Sequence, residues 1–99
     1  MRIENLLNTV RMEVEERQAF LDPGLTLASL ATRCRTNRTY ISGALMKLGG
    51  FFDYIGRLRL SYAQTWRELH PGATIEQVAL ASGFHSRQTY YNVLKKLAA

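Results

Sequence analysis

Apolar residues return every three or four positions through most of this 99-residue chain, which is the period of an amphipathic α-helix. The first stretch with this period covers residues 2–20, and its apolar face consists of Ile3, Leu6, Leu7, Val10 and Val14. The pattern stops at Asp22-Pro23-Gly24, because proline and glycine both disfavour a continuing helix. The sequence therefore predicts one amphipathic helix over residues 2–20 and a turn after it.

Two short helices joined by a tight turn are predicted between residues 25 and 50. Thr26 is the predicted N-cap of the first, whose apolar stripe consists of Leu27, Leu30, Ala31 and Cys34. Asn37 is the predicted N-cap of the second, which is expected to end at about Leu48 before Gly49-Gly50, with its inward positions at Ile41, Ala44, Leu45 and Leu48. We interpret Cys34 as a small core residue, and a reactive thiol is the alternative.

The longest helical pattern covers residues 51–69 and has on one side Phe51, Ile55, Leu58, Tyr62, Trp66 and Leu69. His70-Pro71-Gly72 is expected to end this helix. Thr74 is the predicted N-cap of a fifth helix, and Gly83 supplies the left-handed turn residue after it. Ser86 is the predicted N-cap of a sixth helix that runs toward the C-terminus. The whole pattern predicts an all-α fold.

Part of this pattern occurs twice. Thr26-Leu27-x-x-Leu30-Ala31 returns as Thr74-Ile75-x-x-Val78-Ala79, 48 residues later, and the similarity continues into the next helix at an offset of 49. The turn of the first copy is one residue shorter and has no glycine, and a left-handed Arg35 there would cost on the order of 1 kcal/mol. Each copy predicts a helix-turn-helix unit, the motif that places its second helix in a major groove of DNA.

The charge is unevenly spread along the chain. The net charge is +5, with a balance of −2 over residues 1–24 and +7 over residues 25–99. A basic excess on the repeated part favours attraction to nucleic acid, although an ordinary basic surface explains the charge equally well. No apolar run approaches the roughly 18 residues of a membrane span, and the acidic N-terminal stretch is unlike a secretory signal. We therefore expect a cytoplasmic protein that does not contact the membrane.

Candidate catalytic groups are scarce. Both histidines, His70 and His85, fall in predicted turns, where a capping or surface role is the simpler interpretation. There is one cysteine, no glycine-rich phosphate loop and no metal-ligand motif, and few carboxylates follow Asp22. We predict that the protein is not an enzyme and uses no metal and no cofactor.

The outward sides of the predicted third and sixth helices carry residues suited to DNA. The strip on the sixth helix consists of Arg87, Gln88, Tyr91, Asn92 and Lys95. Arginine reads guanine with two hydrogen bonds, and asparagine or glutamine reads adenine. The strip on the third helix is poorer and consists of Arg38, Thr39, Ser42 and Gly43. The candidates for phosphate contacts are Lys47, Arg57, Lys95 and Lys96. A solvated polar face would explain either strip alone.

At these residues the chain resembles the C-terminal DNA-binding domain of the AraC/XylS family of bacterial transcription regulators. The matching stretches are Leu25-Thr26-Leu27-x-x-Leu30-Ala31, Asn37-Arg38-Thr39-Tyr40-Ile41-Ser42, Tyr54-Ile55-x-x-x-Arg59-Leu60-x-x-Ala63 and Thr74-Ile75-x-x-Val78-Ala79-x-x-x-Gly83-Phe84-x-Ser86. The resemblance covers about residues 20–97. It implies two lobes whose recognition helices enter successive major grooves, with base contacts at Arg38, Thr39, Ser42 and Gly43 in one and Arg87, Gln88, Tyr91 and Asn92 in the other.

The resemblance also implies a domain organisation. The expected units are an N-terminal helix and connector over residues 1–24, a first lobe over 25–50, a linker helix over 51–70 and a C-terminally short second lobe over 71–99. The family usually has two more residues where Gly50 precedes Phe51 here, which affects the relative orientation of the lobes. It also continues past the second recognition helix, so we expect the apolar side of the second lobe to be partly exposed. Family members commonly carry a sensor domain, so this chain is either an output domain or a minimal regulator.

We interpret the chain as a sequence-specific transcription regulator whose partners are double-stranded DNA and, by contact at a promoter, RNA polymerase. A dimer formed through residues 1–20 or through an upstream domain is a further expectation. The competing interpretation is a helical protein-interaction module that uses the same scaffold without binding DNA. The poor strip on the third helix keeps this alternative open.

Overall fold

The structure is a computed structural model that describes residues 2–97, and within this range it contains six α-helices and no strand. The helices are α1 (Ile3–Arg11), α2 (Leu27–Arg33), α3 (Arg38–Met46), α4 (Phe51–Leu69), α5 (Ile75–Ala81) and α6 (Arg87–Leu97). The molecule is elongated and measures 46 × 25 × 19 Å. The predicted all-α fold is confirmed. The division into lobes stays a prediction, and its limits at residues 1 and 99 lie outside the described residues.

The single helix predicted over residues 2–20 is wrong in its second half. After α1 the chain widens into a π-helical turn, Met12–Glu16, and then forms a separate 3₁₀ turn, Ala19–Leu21. Gln18 lies between them with a φ of 59°, which a right-handed helix does not contain. The break redirects the chain so that Ala19 and Phe20, which the pattern had not assigned to the core, become buried.

The two short helices that open the repeats begin in the same way. Thr26 accepts a hydrogen bond from the backbone N–H of Ser29 at 3.0 Å, and the Ser29 hydroxyl accepts one from the N–H of Thr26 at 2.9 Å. Thr74 and Gln77 form the same reciprocal pair at 3.1 and 2.9 Å. Each capping box satisfies two backbone donors that a helix start leaves without partners. Both predicted N-caps are confirmed.

The turns inside the repeats use different residues for the same backbone conformation. Gly83 has a φ of 91° in the second copy. The first copy has no glycine in its turn, and Arg35 takes the left-handed conformation there with a φ of 55°. Gly49 and Gly50 also have positive φ values, 94° and 93°, and separate α3 from α4. α3 ends at Met46, two residues before the predicted end, because the chain already turns there.

The buried side chains form two clusters. The first cluster joins α1, the π-helical and 3₁₀ turns, α2, α3 and the first part of α4, with Leu30 and Ile41 fully buried among its members. The second cluster consists of Ala63, Val78, Ala79, Phe84, Tyr90 and Val93. α4 contributes to both, although Leu69, which was predicted on its apolar side, is 72% exposed. Leu69 is the last residue of α4 and belongs to neither cluster.

Truncation of one side chain in each cluster tests this division of the core. Leu30 and Val78 are 0% and 1% exposed, so Leu30→Ala and Val78→Ala should each lower the free energy of unfolding by about 1–4 kcal/mol. Urea unfolding followed by circular dichroism measures the change. A midpoint that does not move in either variant would contradict the packing of that cluster.

Two glycines form a matched pair for a test of the second turn. A Cβ at Gly83 would lie 2.5 Å from the Phe20 carbonyl oxygen and 2.9 Å from Leu21 Cα, whereas a Cβ at Gly43 in α3 meets nothing within 4 Å. Gly83→Ala should therefore destabilise the fold by about 2 kcal/mol or more, since the positive φ adds to the clash. Gly43→Ala should raise stability by up to about 1 kcal/mol, because alanine favours a helix interior. Equal urea midpoints for the two variants would refute this account.

Candidate nucleic-acid interface

α3 buries one side and exposes the other. Its start is capped by Asn37, whose side-chain oxygen accepts the N–H of Tyr40 at 3.0 Å, as predicted. The buried positions are Ile41, Ala44 and Leu45, and the predicted contact residues Arg38, Thr39, Ser42 and Gly43 are all exposed. The strip that the sequence indicates on this helix therefore faces outward as one surface.

α6 has the same arrangement with larger polar side chains. Ser86 accepts the N–H of Thr89 at 3.2 Å at the start of the helix, as predicted. Tyr90 and Val93 are buried. The exposed side carries the predicted contact residues Arg87, Gln88, Tyr91 and Asn92.

Two of these side chains are already paired on the surface of α6. The Gln88 amide nitrogen donates to the Asn92 side-chain oxygen at 2.9 Å across one helical turn. The bond fixes the amide orientation of Asn92 and leaves its NH₂ group and the Gln88 oxygen free for a further partner. Such a pair offers both a donor and an acceptor, which is the combination that the edge of adenine requires.

The candidates for phosphate contacts are all exposed, but two of them have partners that the sequence analysis missed. Arg57 lies 3.8 Å from the carboxylate of Asp53 one turn earlier in α4. The Lys96 ammonium lies over the ring of Phe52, 4.8 Å from its centre, which connects the end of α6 to the start of α4. An i, i+4 spacing of opposite charges could have indicated the first contact, whereas no sequence signal joins residues 52 and 96. Lys47 and Lys95 are simply exposed.

The basic excess predicted for residues 25–99 lies on the surface, with Arg59 as the exception. Arg59 is partly buried, and burial lowers the pKa of its guanidinium, although Asp22 opposes the shift. Its Nε donates to the Phe20 carbonyl at 2.6 Å and its Nη2 to the Asp22 carbonyl at 2.9 Å. This arginine is therefore part of the fold and is not available to DNA.

Three other reactive side chains, Cys34, Tyr54 and His70, have structural roles. Cys34 is 2% exposed, and burial raises the pKa of its thiol, which is the opposite of what an activated cysteine needs. The Tyr54 hydroxyl donates to Glu15 at 2.5 Å, and burial together with this bond raises the pKa of Tyr54. His70 Nδ1 lies 2.9 Å from the Trp66 carbonyl, and its ring stacks on the Trp66 ring.

Residues 2–97 contain no grouping suited to a metal and no membrane-spanning helix. In this range no three histidine, cysteine, aspartate or glutamate side chains are grouped closely enough to hold a metal ion. None of the helices described is both long and apolar enough to cross a membrane. A cleft of about 660 Å³ lies beside the second cluster, between Trp66, Ala73 and Leu80, and Leu80 is 55% exposed.

Comparisons with known proteins assign no function to the exposed strips on α3 and α6. No protein-family model, no curated protein and no solved structure matches this chain. A function for α3 and α6 therefore has to be argued from the exposed residues and from the helices that hold them.

Proposed function

We propose that this protein is a sequence-specific DNA-binding transcription regulator of the AraC/XylS type, with α3 and α6 as its recognition helices. The observation that carries the proposal is that each of these helices follows a short capped helix, buries one side and leaves the side with the contact residues open. A helix that reads base edges in a major groove needs this combination, because its inner side must be held firmly while its outer side stays free.

The dimensions of the molecule support two simultaneous contacts. The 19 residues of α4 give a helix about 28 Å long between the two repeats. Neighbouring major grooves on one side of a duplex are about 34 Å apart. A rigid helix of this length and a molecule 46 Å long are of the size that two adjacent grooves require.

The side chains favour different tasks for the two helices. Arg87 and the hydrogen-bonded pair of Gln88 and Asn92 can make bidentate contacts with bases, whereas Thr39 and Ser42 offer only short hydroxyls. We infer that α6 reads most of the sequence and that α3 mainly anchors the protein. Because the Gln88–Asn92 bond already orders two side chains, less conformational entropy is lost when they bind.

In this proposal the protein acts by occupying a promoter site, where it recruits or blocks RNA polymerase by contact. No bond is made or broken, so the mechanism needs neither a cofactor nor a metal. The bacterial and cytoplasmic setting follows from the same family type. A dimer through residues 1–20 or an upstream domain would extend the recognised site without changing these contacts, and residue 1 of that surface lies outside the described range.

One observation favours a second candidate, a helical protein-interaction module. Two large side chains on α3, Tyr40 and Met46, are 64% and 70% exposed, and Leu80 is exposed beside the cleft next to the second cluster. Exposed apolar residues are common at protein interfaces. Selection of bound sequences from a random duplex pool separates the two candidates, because a module that does not use DNA enriches no motif.

The basic surface generates a prediction about salt. Each phosphate contact made by residues such as Lys47, Arg57, Lys95 and Lys96 should lower the logarithm of affinity by about 0.9 for each tenfold increase in salt. Fluorescence anisotropy of a labelled duplex at several salt concentrations measures the slope. An affinity that does not depend on salt would contradict DNA binding through these residues.

Two substitutions on α6 should separate sequence reading from anchoring. Arg87→Ala should weaken binding to the preferred site by about 1–3 kcal/mol and relax the preference at one base pair. Lys96→Ala should weaken binding to all sequences alike, because a phosphate contact carries no sequence information. Lys95→Ala is the comparison for the ring contact, because it removes a candidate phosphate contact without a ring contact and should weaken binding in the same way.

The comparison is made on the binding-site logo that each variant selects from the random pool. A logo unchanged by Arg87→Ala, with uniformly lower affinity, would show that α6 is the anchor. Sequence reading would then have to come from α3 or from the shape of the DNA.

A further inference from the structure

Arg59 lies where three parts of the chain meet. It projects from the middle of α4 and donates to two backbone carbonyls of the N-terminal segment, at Phe20 and Asp22. Its guanidinium also lies 5.8 Å from the centre of the Phe84 ring, which belongs to the turn between α5 and α6. One side chain of α4 therefore contacts both the N-terminal segment and the turn that leads into α6.

The backbone around Arg59 is packed so closely that a shift of this side chain would also shift the turn before α6. Gly83 lies directly against the Phe20 carbonyl and Leu21, where even a methyl group would clash. The same carbonyl accepts the Arg59 Nε hydrogen bond. The planar guanidinium fork thus holds the surface on which the turn before α6 rests.

α6 packs on α5 and α4 in the second cluster, and the turn before it adds a further contact. Its C-terminal half packs on α4, where a Cβ at Gly56 would lie 2.8 Å from Leu97 and 3.1 Å from Val93. Its N-terminal end follows the turn that lies against Phe20 and Leu21. The contact of the turn with the N-terminal segment adds a restraint on the orientation of α6 to those that α4 and α5 supply.

We propose that Arg59 is a positioning residue that fixes the orientation of α6 relative to α3 and thereby, on the basis of the proposed function, sets the spacing of the two half-sites that the protein accepts. Arg59 does this through the carbonyls of residues 20 and 22 and touches no DNA itself. The N-terminal segment, which belongs to the first cluster, is therefore a structural part of the second recognition unit.

Arg59→Met tests this role, because methionine keeps an apolar stem and loses both hydrogen bonds. Arg59→Lys keeps the charge but cannot reproduce the planar fork, so its effect should be smaller than that of Arg59→Met. It is the milder variant to use where methionine impairs folding. Arg67→Met is the matched control, since it makes the same change at an exposed position of α4. Circular dichroism confirms that the helix content of each variant is retained.

The first measurement needs no DNA. Spin labels at Met46→Cys on α3 and Lys95→Cys on α6, with Cys34→Ala to leave two thiols, report the distance between the helices by double electron–electron resonance. We expect one narrow distribution for the parent and for Arg67→Met, and a broadened or shifted one for Arg59→Met. Distributions that are identical in all variants would overturn the inference.

The second measurement uses unlabelled protein and duplexes in which one base pair is inserted between the half-sites, which turns the second half-site by about 35°. The parent and Arg67→Met should bind the altered spacing about tenfold more weakly, and Arg59→Met should lose most of this difference. If Arg59→Met keeps the full preference for the parent spacing, Arg59 does not set the spacing, and the proposed DNA binding is unaffected by this result. A parent that binds no duplex would overturn the proposed function, and the label distances would still decide the role of Arg59.

Discussion

The structure depends on one uninterrupted helix that belongs to both hydrophobic clusters. Tyr54 and Ile55 near the start of α4 are buried in the first cluster, and Ala63 further along is buried in the second. Because every turn of a helix is hydrogen-bonded to the next, the two clusters cannot change their separation without breaking α4. A short chain thereby gains two small cores at a fixed distance, neither of which needs to be large.

The N-terminal segment supports the first half of this helix through polar contacts. Glu15 accepts the Tyr54 hydroxyl near the start of α4, and the carbonyls of Phe20 and Asp22 accept the Arg59 guanidinium one to two turns later. The bonds of Tyr54 to Glu15 and of Arg59 to Phe20 are partly buried, so loss of the acceptor would leave the Tyr54 hydroxyl or the Arg59 Nε without a partner. The π-helical turn and the left-handed Gln18 bring the accepting atoms to these places. The irregular stretch is therefore what connects the segment to α4.

The sequence predicts most of the helices and little of how they meet. Local rules place the caps at Thr26, Asn37 and Thr74 and both ends of α4, since each depends on residues a few positions apart. The break near Gln18 escapes prediction, because no residue there disfavours a helix and the first proline and glycine come only at Pro23 and Gly24. The outward strips follow from the same period, so every predicted contact residue is exposed. The contacts of Arg59 and Lys96 join residues about forty apart, which no local pattern encodes.

The two repeats have diverged in a way that matches unequal tasks in the proposed function. The first reaches its turn with a left-handed Arg35, a conformation that costs on the order of 1 kcal/mol in a residue with a Cβ, and its exposed helix carries small side chains. The second uses Gly83 for the same turn and orders Gln88 on Asn92. In the proposed function, base reading through two hydrogen bonds falls to the longer side chains of α6, whereas the short hydroxyls of α3 suit contacts with phosphates.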